Sequence, residues 1–167
     1  RVDNLFGATL SFLRSALCGA ESIVLEDGRY AINPALRVRL DLADFRRLTT
    51  VAFELTEYEN RHSITLLEDA IALVRGAFLE NVVGGGWIDF ERNNFEDAYC
   101  EALRHLGDQC VVRAEYARAE AAYGRMLEIE CMSEAAFRGL MRCYAAKGDQ
   151  VRLIRAYQQL EEVLGRE

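Results

Sequence analysis

Proline is nearly absent: Pro34 is the only one in 167 residues. A chain so free of helix breakers, and rich in Ala, Leu, Glu and Arg, leans helical before any pattern is read. It also has no run of about 18 apolar residues, so no membrane-spanning helix is expected, and no signal-peptide pattern opens it. Histidine occurs only at His62 and His105, and none of the five cysteines (Cys18, Cys100, Cys110, Cys131, Cys143) forms a Cys-x-x-Cys pair. A zinc cluster therefore has no ligand set, and an odd cysteine count does not suit a disulfide framework. Cys110 and Cys143 fall on apolar helical positions, as reduced core cysteines of a cytoplasmic protein do. No nucleophile–base pair sits in a Gly-rich elbow, so neither an enzymatic reaction nor a cofactor is expected. Gly84-Gly85-Gly86 lacks the Lys-Ser/Thr of a phosphate loop and reads as a helix entry, with Trp87 behind it as a packing anchor.

What is present is apolar content of 51 %, too high for a disordered chain and enough for a sizeable core. The net charge of −7 is unevenly spread: residues 1–47 hold seven arginines against six acids, and the acidic excess lies beyond them. That C-terminal excess repels nucleic acid in bulk, so any contact with DNA falls to the N-terminal part. The chain opens on Arg1 rather than Met, which reads as a piece of a longer protein.

Residues 3–17 form a helix with Phe6, Leu10, Leu13 and Leu17 on one stripe. Two β-prone runs, 23–26 and 29–32, flank Asp27-Gly28, a strong hairpin signal that Asn33-Pro34 ends. From Asp41 onward the period is helical. A helix over 41–56 turns Leu42, Phe45, Leu48, Val51, Ala52 and Leu55 inward, and a polar loop from Glu57 to Arg61 follows. The next helix, 63–75, carries Leu66, Leu67, Ala70, Ile71 and Val74. Another, 87–112, carries Phe90, Phe95, Tyr99, Leu103 and Leu106. Three more lie near 115–129, 133–147 and 150–164.

The last four helices repeat. Leu103, Leu106, Cys110, Tyr123 and Met126 stand 34 residues before Phe137, Leu140, Tyr144, Tyr157 and Leu160. That is the period of tetratricopeptide-type (TPR) helical hairpins. Gly148-Asp149 fills the turn of the second copy, and Glu115-Tyr116 the turn of the first. Helices 41–56 and 63–75 form a third, degenerate hairpin. The expected fold is mainly α: about six helices in a TPR-like stack, preceded by a helix and a β-hairpin. Stacked hairpins bury their faces against one another and bind other molecules on a concave face. The 34-residue register places Arg104, Asp108, Arg138 and Arg142 on that face, where they suit an acidic or carboxylate-bearing segment.

Phe6-Gly7-Ala8-Thr9-Leu10-Ser11-Phe12-Leu13-Arg14-Ser15-Ala16-Leu17-Cys18-Gly19 resembles the recognition helix of an OmpR/PhoB-type winged helix, and Gly28-Arg29-Tyr30-Ala31-Ile32-Asn33 resembles the end of its wing. Three later stretches resemble the bacterial transcriptional activator domain (BTAD) of SARP-type regulators. They are Val38-Arg39-Leu40-Asp41-Leu42-Ala43-Asp44-Phe45, then Arg75-Gly76-Ala77-Phe78-Leu79-Glu80 with Trp87 and Glu91-Arg92, then the closing hairpins with Gly148-Asp149 and Tyr157. The resemblance implies two domains: 1–34, the C-terminal part of a winged helix, and 38–167, a TPR-like activator domain. It implies transcription regulation, with DNA met by Asn4, Ser11, Arg14 and Arg29 in the full-length protein. The helical domain then contacts RNA polymerase, another domain of the same regulator, or a second copy in a homodimer. Phosphate contacts supply most DNA affinity, and positions 7, 12 and 15 are Gly, Phe and Ser rather than basic, so this stretch alone is expected to bind DNA weakly or not at all. The rival readings are a TPR-type peptide-binding adaptor that never touches DNA and the regulatory domain of an enzyme whose catalytic part lies elsewhere.

Overall fold

The computed structural model describes residues 2–17, 19–55, 60–80 and 85–165, with side chains from Phe6 onward. Its chain divides into two units, Arg1–Leu40 and Asp41–Glu167.

In the first unit, helix α1 (Val2–Ala16) leads through a 3-10 turn (Ala20–Ser22) into strands β1 (Ile23–Glu26) and β2 (Arg29–Ile32). The strands pair antiparallel with Glu26 opposite Arg29. Asp27 and Gly28 both take positive φ, 47° and 75°. Two left-handed residues in succession make the tight turn whose twist matches that of the strands, and glycine adopts this conformation without strain. Asn33 closes the hairpin: its amide donates to the Glu21 carbonyl at 3.0 Å and its side-chain oxygen accepts from Ala35 N at 2.9 Å. Phe6 and Tyr30 meet with ring centroids 5.2 Å apart. The apolar stripe of α1 is nonetheless open, since Phe6, Leu13 and Leu17 are exposed and only Leu10 is half-buried.

The second unit contains six helices among the described residues: α2 (Asp41–Glu54), α3 (Asn60–Ala72), α4 (Gly86–Val112), α5 (Tyr116–Ile129), α6 (Glu134–Lys147) and α7 (Gln150–Leu164). Each packs on the next, and α4 also packs on α6. This is a stack of three antiparallel hairpins, α2/α3, α4/α5 and α6/α7, with one continuous core. The turns follow from local chemistry. Gly148, at φ 71°, caps α6 in the left-handed region, with Gly148 N donating to the Ala145 carbonyl at 3.1 Å and Asp149 N to that of Tyr144 at 2.9 Å. Asp149 then caps α7 by accepting from Arg152 N at 3.0 Å.

Tyr123 is the joint between the second and third hairpins. Its side chain is wholly buried, and its ring lies against the backbone of Gly107 on α4 and Gly139 on α6. A Cβ on Gly107 would come within 2.6 Å of the ring, and one on Gly139 equally close to Cε2. Both helices need glycine there because no side-chain atom fits under the ring.

Four sequence expectations are corrected. Helix α3 starts at Asn60 rather than 63 and ends at Ala72 rather than 75. Asn60 is buried because its amide reaches Gln109 on α4, a partner that local polarity does not reveal. Trp87 is not a packing anchor, nor does Phe90 face the core; both are exposed. The inner face of α4 is set by Ile88, Phe95, Tyr99, Ala102 and Leu106, which turns 87 and 90 outward. Val51 is also exposed. Thr49 takes the buried position of α2 beside Phe45 and Ala52, its hydroxyl donating to the Phe45 carbonyl at 3.0 Å. Of the polar loop expected from Glu57 to Arg61, residues 57–59 lie outside the described residues, as does Gly84 of the glycine run.

Candidate functional site

All four groove residues expected from the 34-residue register come together. Arg104 and Asp108 on α4 and Arg138 and Arg142 on α6 line one concavity of about 660 Å³, completed by Met141 and Leu153 among others. Arg104 grips Glu101 with two hydrogen bonds, of 3.0 and 2.6 Å, and reaches Asp108 at 3.1 Å. Asp108 accepts from the Tyr123 hydroxyl at 2.9 Å and from Arg142 at 2.5 Å. Because Asp108 and Arg142 are equivalent positions of the two copies, their ion pair ties one repeat to the next. Arg138 pairs with Glu134 one turn earlier. The Arg104 guanidinium holds the Glu101 carboxyl below its usual range. Burial, with Asp108 accepting its proton, raises Tyr123 above the usual phenol value.

These arginines are therefore not free charges awaiting an acid; each has a carboxylate already. The pairs differ in how readily they exchange. Asp108 is committed to the Tyr123 joint. The Arg138–Glu134 pair is solvent-facing, and such a pair contributes roughly 0–1 kcal/mol, so a partner carboxylate can take the place of Glu134 at little cost.

The residues named for DNA are dispersed over the first unit. The side chain of Asn4 lies outside the described residues. Ser11 is exposed on α1, and Arg29 is exposed beside the hairpin turn. Arg14 is half-buried and donates to the Ile23 carbonyl at 2.9 Å, so its guanidinium fastens the helix to the first strand. Ser11 and Arg14 share a shallow hollow with Gly7 and Gly19.

Among the described cysteines, none is in a disulfide: Cys110 and Cys143 are buried, Cys100 is half-buried and Cys131 is exposed. Burial pushes the Cys110 thiol up to about 11. No group of three His, Cys, Asp or Glu residues is placed to hold a metal among the described residues. No helix there is long and apolar enough to cross a membrane.

A second concavity was not legible in the sequence. The segment between α3 and α4 is pinned by Arg92, which donates to the carbonyls of Phe78 at 3.1 Å and Leu79 at 2.7 Å. So pinned, Phe78 stacks on Phe95 with centroids 5.3 Å apart. A cleft of about 420 Å³ opens between this segment and α5, lined by Val74, Phe78, Phe95, Tyr99 and Ile129 and equally by the charged residues Arg75, Glu96, Arg125 and Glu128. Tyr99 is only 6 % exposed, and its hydroxyl is buried with no hydrogen-bond partner among the described residues. Leaving such a group unpaired costs about 1–3 kcal/mol. Desolvation raises the Tyr99 phenol, while nearby Arg125 lowers it. The Arg125 guanidinium stands 5.5 Å from the Tyr99 ring centroid.

Against known proteins, the model of a family described as bacterial transcriptional activator domain matches residues 40–167. No curated protein matches the chain.

Proposed function

The chain belongs to the bacterial transcriptional activator domain family, and on that premise we propose that its helical stack is the partner-contacting part of a regulator that meets DNA through residues 1–34. The family is regulatory rather than enzymatic, and membership makes the chain part of a transcriptional activator-type regulator. The match over residues 40–167 supports the regulator part of this reading. In this proposal α1 and the β1–β2 hairpin are the recognition helix and wing of an OmpR/PhoB-type winged helix, working in the cytoplasm. A helix followed by a hairpin with a tight Asp-Gly turn supports it.

The protein contacts are assigned to the groove between α4 and α6. Its support is the convergence of Arg104, Arg138 and Arg142 on one concave face with Met141 and Leu153 between them. Arg138 is the residue that exchanges partners, because its pairing with Glu134 is solvent-facing. The partner is RNA polymerase, another domain of the regulator or a second copy, each offering an acidic segment.

Two measurements test the reading. In a salt-dependent titration, the full-length protein binds DNA with an affinity that falls steeply as salt rises, while residues 1–167 bind weakly or not at all. An absence of DNA binding by the full-length protein even at low salt would leave the peptide-binding adaptor. Arg138→Glu in the full-length protein lowers transcription from its promoter without altering DNA affinity. Unchanged output, alone and combined with Arg142→Glu, would remove the groove from the mechanism.

A further inference from the structure

The junction between the second and third hairpins is closed by three contacts. The Tyr123 ring of α5 lies on Gly139 of α6. Glu120 of α5 pairs with Lys147 at 2.7 Å and with Arg152 at 3.1 Å. Asp108 of α4 accepts from Arg142 of α6, three residues beyond Gly139. One repeat of 34 residues later, the positions of Tyr123, Glu120 and Asp108 hold Tyr157, Ile154 and Arg142. The ring is kept, the acid has become apolar, and the other acid has become a base.

A hairpin that ends a stack carries a polar outer face. The third hairpin does not. Ile154, Tyr157 and Leu164 are 56, 49 and 49 % exposed, and among the described residues no helix follows α7 to cover them. Met141 stands at the position of Gly107, so α6 offers the Tyr157 ring no glycine to sink against. Met141, Ala145 and Leu153 instead line the hollow of about 660 Å³ that Arg138 and Arg142 border. The open face is therefore apolar along α7 and basic along α6.

We propose that this α6–α7 face binds an amphipathic helix of a partner protein, seated as α6 is seated on α5, with a glycine opposite Tyr157 and a carboxylate three residues later opposite Arg142. The closed junction sets each requirement. A Cβ on the partner would collide with Tyr157 as one on Gly139 would collide with Tyr123. Asp108 takes an arginine from the next helix, so Arg142 in the same place takes an acid. Its guanidinium has further donors to offer while keeping Asp108. Ile154, standing where Glu120 meets Lys147, calls for an apolar residue at the end of the partner helix. An apolar helix face laid into a hollow is a common mode of peptide recognition. The inference rests on the reading of the Arg138–Arg142 groove as the contact surface, and it names the partner as a helix.

The test is fluorescence anisotropy of the chain with a labelled peptide of the α6 sequence, Glu134–Lys147, carrying Arg142→Glu and Lys147→Leu. A side-chain staple keeps the peptide helical, because so short a helix is marginal in water. It binds saturably, and restoring its arginine at position 142 weakens binding about tenfold, the loss of a charge-assisted pair. Gly139→Leu in the peptide weakens it at least as much. In the chain, Tyr157→Ala loses most of the binding, and Arg142→Gln abolishes the preference between the acidic and basic peptides; melting temperatures confirm that both variants fold. No saturable binding, equal binding of the Gly139→Leu peptide, or undiminished binding by Tyr157→Ala would overturn the assignment. So would self-association of the chain that Tyr157→Ala abolishes, which would make the occupant a second copy. Transcription separates this inference from the groove reading. If Arg138→Glu lowers output in the full-length protein and Tyr157→Ala does not, the groove stands and the helix falls. If the peptide binds as described and neither variant alters output, the helix site stands and the groove's role in transcription falls.

Discussion

The hairpins α4/α5 and α6/α7 carry the same register and live in different surroundings. Tyr123 and Tyr157 are equivalent positions, yet the first is fully buried and the second 49 % exposed. Tyr123 has α4 on one side and α6 on the other, each with a glycine beneath the ring. Tyr157 has α6 on one side, and among the described residues no helix follows α7 to close over it; its hydroxyl turns to Glu161 instead. At the turns the contrast reverses. Gly148 takes positive φ freely, while its equivalent, Ala114, adopts φ 58° as a strained non-glycine residue. A repeat thus encodes where a residue stands on its helix, and the neighbouring hairpin decides what that position is worth.

Removing the ring tests that comparison most strongly. Tyr123→Ala should cost about 3–5 kcal/mol in urea unfolding, the range for deleting a buried aromatic. Tyr157→Ala should leave the unfolding midpoint close to the wild-type value. Equal losses would mean that α7 is covered as fully as α5. Next comes Gly107→Ala. Alanine ordinarily gains close to 1 kcal/mol over glycine inside a helix, but here the new methyl would collide with the Tyr123 ring, and overpacking costs about 1–3 kcal/mol. The clash offsets the propensity or outweighs it, so a net loss of up to about 2 kcal/mol is expected. Gly124→Ala on α5, with nothing near its Cβ, should stabilise instead and serves as the control. A gain at Gly107 would show that the ring can move aside.

Smaller and opposite in sign is the turn. Ala114→Gly should stabilise by about 0.5–1 kcal/mol, the left-handed strain relieved less the extra entropy glycine carries unfolded. Thermal unfolding of the single variant decides it. Stability unchanged or reduced would mean that the turn of the first copy is not the strained equivalent of Gly148.

Much of this architecture was legible because burial in the stack follows a helical period. Leu103, Leu106, Cys110, Tyr123 and Met126 are all buried where the 34-residue echo put them. Legibility failed where a contact distant in sequence decides. Asn60 looks like loop but is helix, held by Gln109 from 49 residues away. Trp87 looks like an anchor, yet Ile88 beside it takes the core position. In the first unit the periodic stripe of α1 predicts a covered face, and Phe6, Leu13 and Leu17 are open; periodicity says that a face is apolar, not what lies on it. The groove residues were legible as positions but not as ion pairs, because Glu101 and Glu134 lie off the repeat-matched set. The Tyr99–Arg125 cleft was invisible, since its walls come from three separate elements with no shared spacing.

The finest comparison uses the hydroxyls alone. Tyr123→Phe removes the donor to Asp108 and leaves that carboxylate with Arg142 and Arg104. The loss should be about 0.5–1.5 kcal/mol, the net worth of one hydrogen bond whose acceptor keeps other partners. Tyr157→Phe removes a bond to Glu161 made in open solvent, where water replaces it, and the urea midpoint should not move. Acid titration adds a check on the first copy. The Glu101 carboxyl is depressed by Arg104, so its contribution is present above the unfolded-state carboxylate range and is lost as pH falls through the folded value. Tyr123→Phe spares the Arg104–Glu101 grip and should retain that acid-side loss, whereas Arg104→Gln should flatten it. If Tyr157→Phe destabilised as much as Tyr123→Phe, the two copies would be energetic equals, and the neighbouring hairpin would not be what distinguishes them.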